Sequence, residues 1–126
     1  MKRLAMVVAA VALSTTSALA DCKSLGGKWS GVLQNNTGSR PITVTVKMAA
    51  AGCGATVTYQ WGRHSTITGS YAGPGSRTVK IKLEEAGFTV PLTDFNASAT
   101  FRLSGSMLNA HWTNGVIVTT GNLTRR

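Results

Sequence analysis

The sequence predicts a small all-β domain, an antiparallel up-and-down barrel or sandwich of about eight strands with one disulfide. Apolar and polar residues alternate with period two through most of the chain after residue 20. Clusters of Gly, Asn, Ser and Pro punctuate that alternation at intervals of roughly 8–12 residues. Helical spacing nowhere reaches comparable strength in that region, so no crossover helix is available to build a parallel sheet.

The first segment stands apart. Met1-Lys2-Arg3 is a short positive head, Leu4 to Leu13 is an apolar run, and Ser14 to Ser17 is a polar break. Ala18-Leu19-Ala20 then supplies a small-x-small site, so residues 1–20 read as a cleaved secretory signal peptide. Ten apolar residues are too few to cross a hydrocarbon core of roughly 30 Å as a helix, so no membrane span is expected. The expected domain is 21–126, secreted or periplasmic. It keeps eleven of the thirteen basic residues and all four acidic ones, a formal +7. Cys22 and Cys53 are the only cysteines, and in an exported chain they are expected to pair.

The strands follow in order. Segments near 28–34 and 41–49 open the domain, the second with Ile42, Val44, Val46 and Met48 against Thr43, Thr45 and Lys47. In 54–61, Ala55, Val57, Tyr59 and Trp61 alternate with Thr56, Thr58 and Gln60. Segments 65–71, 77–84 and 87–92 come next; Val79, Ile81 and Leu83 face away from Lys80 and Lys82. Ala99, Phe101 and Leu103 define 98–104, and Leu108, Ala110 and Trp112 define 107–113, with 115–124 a candidate ninth. β-branched residues dominate, as half-buried pleated surfaces favour. Asn114-Gly115 predicts a tight type I′ hairpin, and Ala72-Gly73-Pro74-Gly75-Ser76 an exposed loop.

The Gly27-Lys28-Trp29 opening of the first strand, with Arg125 ending the last, resembles the calycin barrels of the lipocalin and avidin group. Thr68-Gly69-Ser70-Tyr71 is similar to the Thr-Gly-x-Tyr stretch of avidins. The resemblance implies a barrel whose closed end is plugged by Trp29, with Arg125 packed over the indole as a cation–π partner. It implies no biotin site, because Ser30 and Gly31 stand where avidins place a polar biotin-contacting pair.

Two histidines and four carboxylates offer little for hydrolytic or metal chemistry. His64 and His111 are far apart, Glu84 and Glu85 are adjacent, and no Gly-x-Ser-x-Gly elbow is present. No catalytic residue, metal or cofactor is expected. The expected function is that of a non-catalytic exported bacterial binding protein recognising carbohydrate or an anionic cell-surface polymer. Its ligand would meet an aromatic pocket of Tyr59, Trp61, Tyr71 and Trp112, or a basic outer patch of Lys80, Lys82 and Arg63. The alternative is an enzyme inhibitor or protein-interaction module acting on a target protein through a loop such as Ala72–Ser76. Export and the lack of outward aromatics beside the lysines argue against nucleic acid. An open, ringed cavity would favour ligand binding, whereas a filled interior with an exposed loop would favour the inhibitor or protein-interaction reading.

Overall fold

The computed structural model describes residues 22–126. The leader expected over 1–20 lies outside the described residues. Eight strands follow one another: β1 (Gly27–Asn35), β2 (Gly38–Met48), β3 (Gly54–Trp61), β4 (Gly75–Lys82), β5 (Gly87–Leu92), β6 (Ala97–Ser104), β7 (Met107–Thr113) and β8 (Val118–Arg125). Every pairing is antiparallel, and one sheet runs in the order β4-β3-β2-β1-β8-β7-β6-β5, curling into a nearly closed barrel.

Period-two alternation converts directly into this wall. Along β2 and β3, Ile42, Val44, Val46, Ala55, Val57 and Tyr59 are buried, and the residues between them face out. The interior is packed rather than hollow. Trp29, Leu25 and Leu108 are fully buried, and Phe88 stacks on Phe101 at 4.9 Å in the middle of the core. Burying one such apolar side chain stabilises the fold by roughly 1.5–3 kcal/mol.

The ladder breaks once, between β4 and β5, which form the two ends of the sheet. At one end of the barrel the break is spanned by the β4–β5 turn, in which the Glu84 amide donates to the Gly87 carbonyl (2.9 Å). At the other end side chains tie it, through an Arg77–Asp94 ion pair and the Trp61 and Phe95 rings packed edge to face at 5.7 Å.

The first of these ends is closed by the segment before β1. Cys22 is bonded to Cys53, and Leu25 and Trp29 fill the base, with the Trp29 indole N–H donating to the Leu25 carbonyl at 3.0 Å. Arg125 lies over the Trp29 ring, 4.1 Å from its centroid, and donates to the carbonyls of Gly26 and Ser24. Gly27 lies at φ 118°, and a Cβ there would stand 2.7 Å from the Arg125 Nη1. The positive φ favours glycine at that position.

Three local expectations are corrected. Segment 65–71 is no strand: it is a loop ending in a 3-10 turn at Ser70–Ala72. Its backbone is already committed, because the Thr66 and Ile67 amides donate to Nδ1 of His64 (3.2 and 3.3 Å) and the Ser65 amide to the Ser39 carbonyl (2.9 Å). Asn114-Gly115 is not a two-residue turn. Thr113 pairs with Val118, leaving a four-residue loop in which Gly115 has positive φ (91°) while the Asn114 carboxamide accepts from Val116 and Ile117. The last segment is therefore an eighth strand from Val118, not a ninth. Finally, Ala72–Ser76 does not protrude. Ala72 is buried, its carbonyl accepts from His64, and Gly75 and Ser76 already belong to β4.

Candidate functional site

The expected site residues fall into separate groups. Tyr59 points inward and is buried between Trp61 (5.5 Å) and Phe101 (5.8 Å), so it belongs to the core. Burial pushes its phenol well above the usual tyrosine range, partly offset by the Arg40 guanidinium nearby. The same burial lowers Arg40, which points into the mouth of the barrel and donates to the Tyr71 carbonyl. Trp61 is half-buried. Tyr71 is 71% exposed and meets Phe95 at 6.4 Å. Trp112 is half-buried on β7, paired with Ala99 and Thr119, and touches none of the other rings. The rings that do meet form a chain from Phe88 and Phe101 through Tyr59, Trp61 and Phe95 to Tyr71. Phe95, which the alternation did not single out, completes that chain in place of Trp112. The expected aromatic pocket is thus a packed column whose outermost member alone is widely open to solvent.

His64 is buried and organises the β3–β4 loop through Nδ1, which accepts from the Thr66 and Ile67 amides. His111 faces out on β7, and Asp94 is held by Arg77. Among the described residues no three His, Cys, Asp or Glu side chains gather into one group.

The basic residues divide by end. β3 runs from Gly54 at the closed end to Trp61 at the open end, and Arg63 follows at the open end. β4 returns, so Lys80 and Lys82 reach the closed end and do not share a patch with Arg63. Lys47 joins them instead. It pairs with Thr56, and Thr56 pairs with Lys80, so the two lysines flank Thr56 on the outer face. Strands about 4.8 Å apart place their Cα atoms roughly 10 Å from each other, and Lys82 lies about 7 Å further along β4. These three lysines border a surface concavity of about 760 Å³ lined also by the Ala49–Ala55 turn and Ile81. A second concavity of about 490 Å³ lies on the outer wall around Arg102, Ser104, Met107 and Asn122. Neither opens into the barrel.

The charge surrounding the larger concavity is one-sided. Of the eleven basic residues described, eight lie at the closed end: Lys23, Lys28, Lys47, Lys80, Lys82, Arg102, Arg125 and Arg126. Among the described residues only Glu84 and Glu85 oppose them there, and the one ion pair among them is Arg77–Asp94 at the other end. Lys47, Lys80 and Lys82 are all exposed and none is ion-paired. A concave surface of one sign raises the local concentration of oppositely charged groups. No family model, curated protein or solved structure matches this chain.

Proposed function

We propose that the protein is a non-catalytic binding protein whose ligand is an anionic polymer, held at the closed end by Lys47, Lys80 and Lys82. The observation that carries this reading is the convergence of three unpaired lysines on one concavity of about 760 Å³. A polymer suits them better than a small ion, because lysines whose Cα atoms lie about 7–10 Å apart on a pleated surface can each meet a different charge along a chain. The scatter of titrating groups supports the non-catalytic part, since general acid–base work needs partners within hydrogen-bond reach. The packed interior favours a ligand on the outer surface over one inside the barrel.

The test is retention of the protein on immobilised polyphosphate at low salt, comparing wild type with a Lys47→Gln/Lys80→Gln/Lys82→Gln variant and with Arg63→Gln. Losing three exposed contacts of about 0.5 kcal/mol each weakens binding about tenfold. Arg63→Gln stays near wild type. Equal retention of wild type and the triple variant overturns the proposal.

The packed interior, together with an exposed loop, favours the protein-interaction reading. Val116 (88% exposed) and Ile117 project from the β7–β8 loop at the open end, Val118 follows exposed at the start of β8, and Ile67, Tyr71 and Phe95 are also exposed there. Apolar side chains gathered at one end are a common mark of a protein contact. Such a contact would persist at salt concentrations that release a polyanion, which separates the two readings.

A further inference from the structure

Resting on that reading, we propose that the polymer is an acidic polysaccharide running lengthwise along β3 and β4. Its carboxylates would meet Lys47, Lys80 and Lys82, and a sugar ring would stack on Tyr71. The connectivity sets this path. Tyr71 sits in the loop joining the open ends of β3 and β4, and the lysine concavity lies at the closed ends of the same strands. From Gly75 at the start of β4 to Lys80 is five residue steps of about 3.3 Å, so roughly 17 Å of wall separates the open end from the lysines.

Between them the outer wall carries no charge and no large apolar side chain. Thr43, Gln60 and Ser76 lie in one register row across β2, β3 and β4, and Thr45, Thr58 and Thr78 in the next. The Thr58 and Thr78 hydroxyls approach to 3.1 Å, each able to donate or accept. Rows of hydroxyl and amide groups that both donate and accept complement the hydroxyls of a sugar chain, whereas a polyphosphate, which only accepts at neutral pH, uses only their donors.

The aromatic end is held in place before any ligand arrives. Arg40 donates to the Tyr71 carbonyl, Phe95 packs against its ring, and the preceding loop is fastened by His64 and by the Thr66 hydroxyl donating to the Thr37 carbonyl. An exposed ring on a fastened loop loses little entropy on binding, and its face suits the apolar side of a pyranose. A polyphosphate has no such face.

The experiment measures affinity for oligogalacturonates of increasing length and for polyphosphate, using wild type, Tyr71→Ala, Tyr71→Phe and the triple lysine variant. Tyr71→Ala should weaken binding of oligomers long enough to span the strip about fivefold, consistent with loss of one stacking contact. It should leave short oligomers and polyphosphate unchanged, and Tyr71→Phe should restore the long-oligomer affinity. Unchanged polyphosphate binding also shows that Tyr71→Ala is folded. The polysaccharide assignment is overturned if Tyr71→Ala leaves long oligogalacturonates unaffected or weakens polyphosphate equally. If the lysine variant binds both polymers like wild type, the anionic-polymer reading itself fails.

Discussion

Tyr59 is the residue on which sequence and packing diverge most. Its position on the inward face of β3 was legible from period two, but inward parity serves a ligand cavity and a filled core equally well. What decides between them is the volume contributed by partners distant in sequence, here Phe101 on β6. Burial raises the Tyr59 phenol above its unfolded value of 10.0, with Arg40 a smaller opposing influence. A raised folded-state value means the stabilisation is fully present below about pH 10 and is lost as pH climbs beyond it. Tyr59→Phe should therefore flatten the fall in denaturant midpoint between neutral pH and about pH 11. An equally steep alkaline fall in the variant would contradict this.

At the level of elements, eight of the nine expected segments hold a strand, because a half-buried strand writes its own pattern into the chain. The failures are places where side chains take over the backbone bonds. His64 withdraws the Thr66 and Ile67 amides from any ladder, and the Asn114 carboxamide does the same for Val116 and Ile117. Neither event leaves a periodic trace. The disulfide, by contrast, was readable by counting, and it joins the base plug to the β2–β3 turn across 31 residues of sequence. Replacing both cysteines by serine should destabilise the fold by roughly 3–4 kcal/mol, read as a lower denaturant midpoint. The lysine concavity was half legible. Lys80 and Lys82 stood out on β4, but Lys47 joins them only through the β2–β3–β4 register, and Arg63 leaves because the strand direction carries it to the far end.

Considered whole, the molecule is polar in the electrical sense, with eight of its eleven described basic residues at the closed end and an aromatic and aliphatic rim at the other. Composition reports the excess of positive charge but cannot say where the fold collects it. Attraction to a polyanion should therefore weaken steeply as the Debye length shrinks from about 30 Å at 0.01 M salt to about 8 Å at 0.15 M. Measured affinity that stays flat across that range would exclude the electrostatic mechanism.

The single interruption of the ladder, between β4 and β5, gives the cylinder a slit along one side. Prising the wall apart there breaks no inter-strand ladder bond, whereas parting any other neighbouring pair unzips a full row of them. The slit crosses the charged base at one extremity and the Arg77–Asp94 clasp at the other. Transient access of solvent to the interior should accordingly begin at that clasp and travel downward, making this flank the softest line in an otherwise continuous shell.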